Sequence, residues 1–430
     1  MMSERPTLRN PWTWVPSLYF AQGLPYVAVM TVSVIMYKRM GISNTDIALY
    51  TSWLYLPWVI KPLWSPLVDM FKTKRFWIVS MQFAIAVAFA SVALTIPLPN
   101  FFQYTLAVFW LMAFSSATHD IAADGFYMLG LEQHVQAAFV GVRSTFYRIA
   151  TITAQGLLVV IAGQIEQSSG GDISLAWSVT FVVLAGVFVL AFVYHKFILP
   201  YPVADKPVHT SHSESVFKDF FGTFVLFFKK KNIIPTLAFL MLYRFAEAQL
   251  VKLVSPFLLD ARDKGGLGLS TSDVGIVYGT VGIIALTVGG LLGGYIASRK
   301  GLKAVLWLMV CAIHLPDAAF VYLSHVQPEN LFVINTAVAL EQFGYGFGFT
   351  AYMLYMIMIS EGEHKTAHYA ICTGFMALGM MLPGLFSGAL QEYLGYKSFF
   401  VWVMISTIPG FAVAALVKID PEFGKKKETV

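Results

Sequence analysis

Twelve apolar runs, each long enough to cross a bilayer, decide what this chain of 430 residues can fold into. They are centred near residues 25, 56, 86, 112, 149, 187, 245, 284, 314, 344, 378 and 407. A helix needs about 20 apolar residues to cover the hydrocarbon core. Backbone polar groups in lipid must be satisfied within the segment, so such runs fold as helices. Only 12% of the residues are charged, against about a quarter in soluble domains. The expectation is an all-α, polytopic membrane protein. The first run is followed by no small-residue cleavage site and is read as a retained span. Cys311 and Cys372 both fall inside runs, which suits packing residues better than a disulfide or metal framework. No cofactor and no metal are expected.

The basic residues orient the spans. With a cytoplasmic N-terminus and alternating spans, 19 Lys and Arg fall on cytoplasmic segments, five on outer loops and five within spans. Lys72, Lys74, Arg75, Lys229 to Lys231, Arg299, Lys300, Lys303 and Lys425 to Lys427 belong to the first group. Positive residues favour the inside, so both termini are expected in the cytoplasm. Because these charges sit at helix ends, where they serve orientation, nucleic acid is not an expected partner.

A Pro-rich polar stretch, "PYPVADKPVHTSHSES", interrupts the hydrophobicity after Leu199. "SVFKDFFGTFVLFFKKK" follows, too short to span and suited to the membrane interface. The expected domains are a six-helix bundle over 1–199, a cytoplasmic linker with an interfacial helix over 200–231, and a second six-helix bundle with a short tail over 232–430. Basic turns recur after spans 2 and 8, as "LVDMFKTKRFW" and "GGYIASRKGLKAV". The second matches most of the G-x-L-A-D-R-x-G-x-K pattern of major facilitator transporters, at Gly294, Ile296, Ala297, Arg299, Gly301 and Lys303. Ser298 stands where that pattern has Asp. In the first half Asp69 supplies the acid and Lys72 replaces the later Gly. Two repeated six-helix halves are the mark of the major facilitator fold.

Charge inside a span costs at least ~2.5 kcal/mol near the bilayer centre and marks function by default. In the first half these residues are Lys61 on span 2, Asp120 and Asp124 on span 4, and Arg143 and Arg148 on span 5. Spacing of four puts both carboxylates on one helix face, in the cytoplasmic third of the span. Two roles stand for them. Lys61, Asp69, Asp124 and Arg143 form a cytoplasmic gate of ion pairs, and Asp120, the deeper acid, either joins that gate or carries a coupling proton. In the second half span 7 holds Arg244 and Glu247, three residues apart, with Lys252 further out. They either neutralise each other or leave the guanidinium to bind a substrate carboxylate. Span 10 adds Glu341, Gln342, Tyr345, Tyr352 and Tyr355, with Gly344, Gly346 and Gly348 allowing close helix approach. Span 1 offers Gln22 beside the bend Gly23-Leu24-Pro25. Alternating access predicts a midplane site, and Gln22, Tyr26, Arg148, Arg244, Glu247, Glu341, Gln342, Tyr345 and Tyr352 are its expected substrate-binding residues.

"QGLPY" at Gln22 to Tyr26, "KPLWSPLVD" at Lys61 to Asp69 and "SSATHDIAADG" at Ser115 to Gly125 resemble the AmpG-type muropeptide permeases, major facilitator proteins related to acetyl-CoA transporters. The likeness continues more loosely through "YRIATITAQG", "GYGFGFTAYM" and "HYAICTGFMALGMMLPGLFSGAL". It implies proton-driven import of anhydro-muropeptides or related amino-sugar fragments across a bacterial inner membrane. Asp120 and Asp124 fall on the family's functional span 4 motif, with His119 departing from the usual Gln. The expected partners are a small-molecule substrate, protons and membrane lipid, with the chain a monomer. Another anionic cargo such as acetyl-CoA is the alternative. A Mg-dependent prenyltransferase-like enzyme is disfavoured, since "HDIAAD" has no second Asp pair to hold a diphosphate; the chain is read as a transporter and not an enzyme.

Overall fold

Every regular element among the described residues is helical, as the apolar runs require. A computed structural model describes residues 9–207, 222–362 and 365–424, without the side chains of Asp69, Gln133, Ala137 and Thr366. Nine of its described helices are long and apolar enough to cross a membrane. They are Pro11–Arg39, Lys74–Thr95, Phe101–Gly130, Ala138–Ser168, Ile173–Ile198, Thr271–Lys300, Leu302–Val326, Leu331–Ser360 and Ala367–Leu416. The last of these turns back at Gly395, whose φ of 72° only glycine adopts freely, and so supplies spans 11 and 12.

The remaining two of the twelve are broken, which is why neither counts as one long helix. Span 2 consists of Asn44–Trp53 and Leu56–Phe71. Pro57 lacks the N–H that would bond the carbonyl of Trp53, so the first segment stops there. Span 7 consists of Ile233–Leu242 and Phe245–Leu259. Here no proline or glycine intervenes; Arg244 itself leaves the helical region, at φ −109° and ψ 22°. Span 9 is pinched by a 3-10 turn at Leu315–Asp317, where Pro316 removes another backbone donor. Spans 1, 5 and 8 carry π-helical turns at Ala28–Val32, Ile152–Leu157 and Gly275–Gly282.

The chain divides into two compact units, Met1–Ser33 with Ile60–Phe220, and Val34–Val59 with Phe221–Val430. Each shows alternating spans by the loops it brings together. In the first, the backbone N–H groups of Lys74 and Arg75 donate to Asp205 at 2.7 and 3.0 Å, joining the loop after span 2 to the segment after span 6. In the second, Lys230, before span 7, donates to the carbonyls of Ile359 and Glu361, at the end of span 10. Leu302 N–H, after span 8, donates to Phe423 O of the tail at 3.0 Å. At the opposite end Arg262, after span 7, donates to the carbonyls of Gln327 and Pro328, after span 9. The stretch expected at the interface lies partly outside the described residues; Phe227 within it is fully buried in the core of the second unit.

That core depends on close helix approach at span 10. A Cβ on Gly344 would meet Ala312 O and Pro316, and one on Gly348 would meet Met309 O and Ile313 Cβ, so both glycines face span 9. Gly346 faces span 8, where a Cβ would strike the carbonyl of Leu286. Backbone is the obstacle on both sides and cannot yield as a flexible side chain does. Gly346→Leu is therefore expected to lower the melting temperature in detergent sharply, for a cost of about 3 kcal/mol or more. Gly294→Ala, where nothing lies within 4 Å, is expected to melt like the parent. Equal melting of the Gly346 variant would remove the close approach as a constraint.

Candidate functional site

A buried carboxylate is retained only if something offsets its lost hydration, and the two units answer that differently. In the first, helix Phe101–Gly130 presents Asp120 and Asp124 one turn apart. Asp120 accepts from Lys61 Nζ and from Gln22 Nε2. Asp124 accepts from Arg143 Nη2 at 2.8 Å and from the Tyr19 hydroxyl at 2.9 Å. The Arg143 guanidinium also stands 4.4 Å from the Tyr19 ring centre and 5.0 Å from that of Tyr127, so aromatic faces replace part of its water. The side chains of Asp120 and Lys61 are each 20% exposed, whereas Asp124 and Arg143 are 40% and 31% exposed. The inner pair is the drier one.

Close packing puts these groups in register. A Cβ on Gly23 would lie 2.9 Å from Ala150 Cβ and 3.1 Å from Tyr147 O, so the Gly of "QGLPY" lets span 1 lie against span 5. Pro25 and the π-helical turn after it re-aim the helix just beyond Gln22. Behind span 4 runs a second polar line. Ser17 Oγ meets His195 Nε2 at 2.9 Å, His195 Nδ1 meets Gln82 Oε1 at 3.0 Å, and Gln82 Nε2 meets His119 Nε2 at 3.0 Å. Gln82 donates to one imidazole and accepts from the other, which fixes neutral tautomers along the line. It joins spans 1, 6, 3 and 4 and ends beside Asp120.

The second unit holds three further acids. Glu247 comes from span 7, Asp317 from the 3-10 turn of span 9 and Glu341 from span 10. An oxygen from each lies within 4.8 Å of the others. All three residues are at most 1% exposed. Gln342 Nε2 donates to Glu341 Oε2 at 3.0 Å, and the other five carboxylate oxygens have no hydrogen-bond partner. Arg244 does not pair with Glu247. It donates to the Tyr345 hydroxyl and lies 4.7 Å from the Phe349 ring centre and 5.2 Å from that of Tyr345. Lys252, also buried, donates to Thr51 Oγ1 at 2.9 Å and sits 5.2 Å from the Tyr55 ring centre.

At one end the same unit is tied by a polar knot. Asn44 donates to Gln391 Oε1 at 2.6 Å and to the Tyr396 hydroxyl at 2.9 Å. Tyr396 donates to Asp260 at 2.7 Å, and Lys38 pairs with that carboxylate at 2.7 Å. Gly388 lets the backbone of Asn44 approach, since a Cβ there would strike its carbonyl.

Of the residues expected at a gate, Lys61 pairs with Asp120 and Arg143 with Asp124; the Asp69 side chain lies outside the described residues. Of the expected substrate residues, Gln22 is engaged by Asp120, Tyr26 and Arg148 are half-buried in the first unit, and Glu247, Glu341 and Gln342 meet in the second. Tyr345 holds Arg244, and Tyr352 gives its hydroxyl to Leu240 O at 2.6 Å inside an aromatic stack. Asp317, Tyr19 and the Ser17–His195–Gln82–His119 line were not anticipated. Asp317 had a signal, an acid inside an apolar run directly after Pro316. Tyr19 and Gln82 had none, being ordinary polar residues on amphipathic-free helices.

Residues 17–361 and 220–429 match the Major Facilitator Superfamily. The Escherichia coli K12 anhydromuropeptide permease is 24% identical over 421 residues, 94% of this chain and 79% of that one. A Rickettsia conorii protein with the provisional name transporter AmpG 4 is 25% identical over 411 residues, 92% of this chain and 94% of its own. The fold is also that of the nucleoside transporter NupG, with a TM-score of 0.68 at 18% identity over 94% of this chain and 98% of that one. A D-xylose-proton symporter gives a TM-score of 0.66 at 12% identity, covering 94% and 96%.

Removing one partner of a buried pair costs about 3–5 kcal/mol, because the other charge is left alone; a more exposed pair is worth about 1 kcal/mol or less. Lys61→Met is thus expected to destabilise the protein more than Arg143→Met in thermal unfolding. Adding Asp120→Asn to Lys61→Met should restore most of the loss. Additive losses in that double variant would show that the two side chains do not interact.

Proposed function

The chain belongs to the Major Facilitator Superfamily and is a multi-pass membrane transporter, and we propose that it imports anhydro-muropeptides or related amino-sugar fragments by proton-coupled alternating access. The observation that carries this reading is the likeness to the anhydromuropeptide permease, which runs through 94% of the chain. A bacterial inner membrane, both termini in the cytoplasm, a monomeric state and the division into 1–199, 200–231 and 232–430 form part of the same proposal. Other cargoes, acetyl-CoA among them, are the alternative within the class.

The chemistry of the side chains suits such a cargo. Sugar rings offer hydroxyl and apolar faces, and their acid and peptide groups carry charge. Arg244 presents a guanidinium flanked by Tyr345 and Phe349 in the second unit, the pairing of cation and aromatic face that binds a carboxylate on a sugar. Tyr26 and Arg148 are the corresponding proposal in the first unit, and Tyr352, Glu341 and Gln342 shape the surroundings of Arg244.

Asp120 is proposed as a proton carrier. Held by Lys61 and Gln22, it stays ionised while that grip lasts. A movement that withdraws Lys61 leaves the carboxylate in a dry site, where protonation is the cheapest way to remove its charge. Asp124 keeps its two partners near the more exposed edge and acts as a gate with Arg143 and Asp69. In this scheme the ion pair and the proton exclude each other, so one cycle of the gate moves one proton at this site.

Purified protein in proteoliposomes is expected to accumulate anhydro-muropeptides under an inward proton gradient, and not free peptides or acetyl-CoA. Asp120→Asn should abolish that accumulation while ligand binding persists. Accumulation of acetyl-CoA alone would overturn the cargo, and full pH-dependent uptake by Asp120→Asn would overturn the role of that carboxylate.

A further inference from the structure

Glu247, Asp317 and Glu341 have no part in the scheme for Asp120, yet among the described residues they are buried acids with almost no hydrogen-bond partners. Three helices deliver them to one point, where an oxygen from each lies within 4.8 Å of the others. Burial is complete and five of six oxygens lack any donor. Among the described residues, Arg244 of span 7 acts electrostatically on Glu247, the Tyr278 phenol of span 8 is close enough to interact electrostatically with Glu247, Glu341 and Tyr345, and Gln342 holds one oxygen of Glu341. Ionised together, the three carboxylates carry three negative charges against the single positive charge of Arg244. Charges packed this closely in a dry interior repel strongly at any reasonable dielectric constant. Two further positive charges are needed.

We propose that Glu247, Asp317 and Glu341 form a second proton-binding site, which holds two protons in this conformation and releases them when the second unit opens it to water. This rests on the transporter reading and extends its coupling to the other unit. Protons suit the place better than a metal ion. Each one neutralises a carboxylate and turns it into a donor, so two protons also supply hydrogen bonds for the orphaned oxygens around them. A divalent ion supplies the charge but takes six or more oxygens, usually several of them water. Pairs of neighbouring carboxylates share protons for the same reason wherever they cannot both ionise.

Such a site has a mechanical consequence. Glu247 follows the break at Arg244 in span 7, and Asp317 closes the 3-10 turn of span 9. The two acids therefore sit on interrupted helix, where small rotations are cheap. Losing the protons would drive the three carboxylates apart and move both segments. Proton release and helix movement are then one event, as coupling requires.

Infrared difference spectroscopy on the full chain in lipid at pH 7 tests this without substrate, by reading the carbonyl stretch of protonated carboxyl groups. The parent minus Glu247→Gln/Asp317→Asn/Glu341→Gln is expected to show that band, shifted in deuterium oxide. No difference between the two would mean that the triad is ionised and would overturn the proposal. Stabilisation of the parent by calcium, magnesium or manganese after chelation, absent in the variant, would overturn it in favour of a metal. Should the triple variant not fold, Glu341→Gln alone serves, with the same outcomes. In proteoliposomes Asp317→Asn, at the one acid of the three with no proposed contact to the cargo, should lose gradient-driven accumulation by about tenfold or more while keeping substrate counterflow, which needs no net proton movement. Unchanged accumulation would overturn the coupling role. A parent protein that moves no muropeptide would instead overturn the cargo, leaving the infrared result standing.

Discussion

Everything distinctive about this chain follows from the cost of keeping carboxylates out of water. The fold supplies twelve apolar spans, and an acid inside one of them must be matched by a cation, a set of donors or a proton. The first unit uses cations and donors. Asp120 has Lys61 and Gln22, and Asp124 has Arg143 and Tyr19. The second unit leaves its three acids to one another, with Arg244 turned to Tyr345. Paired charge fixes a conformation, whereas unpaired charge in one place makes the conformation depend on what neutralises it. A membrane transporter needs both properties, one to hold a closed state and one to leave it.

The breaks in the helices serve the same end. Span 2 parts ahead of Pro57, and span 9 pinches at Pro316, each where a backbone donor is missing. Span 7 parts at Arg244 without any such residue. Discontinuous spans expose backbone groups and permit rotation near mid-membrane, which uninterrupted helices do not. Every break lies close to a group with a functional reading: Tyr55 beneath Lys252, Arg244 on Tyr345, Asp317 against Glu247. Irregular backbone costs hydrogen bonds, and here it coincides with the charges.

The parts of this architecture set by local physics were legible in the sequence. Run length gives the spans, and Gly344, Gly346 and Gly348 announce the close packing they provide. The Asp120–Asp124 spacing announces a shared face. Partnership was less accessible, because it depends on how far each helix is rotated about its axis. Arg244 and Glu247 at a spacing of three left open either a mutual pair or a guanidinium free for a substrate, and the structure turns the guanidinium to Tyr345 instead of Glu247. His119 stood out in the sequence only as a departure from the usual Gln and is fully buried, because Gln82, itself held by His195, arrives from another span to receive it. Asp317 was readable but sat behind a proline, where a turn and not a span is the usual inference.

The polar knot around Asn44 completes the physical picture of the second unit. Segment Val34–Val59 belongs to the chain's first six spans but packs in the unit formed by the last six. Its hold there is local and breakable: Asn44 on Gln391 and Tyr396, Lys38 on Asp260, Thr45 on Glu392. Such hydrogen bonds and a single ion pair are worth about 1 kcal/mol apiece when water can replace them. Four or five such contacts hold the segment more weakly than the apolar core beneath. Glycine at 388 is what makes them attainable, since any larger residue would hold the backbone of Asn44 out of reach.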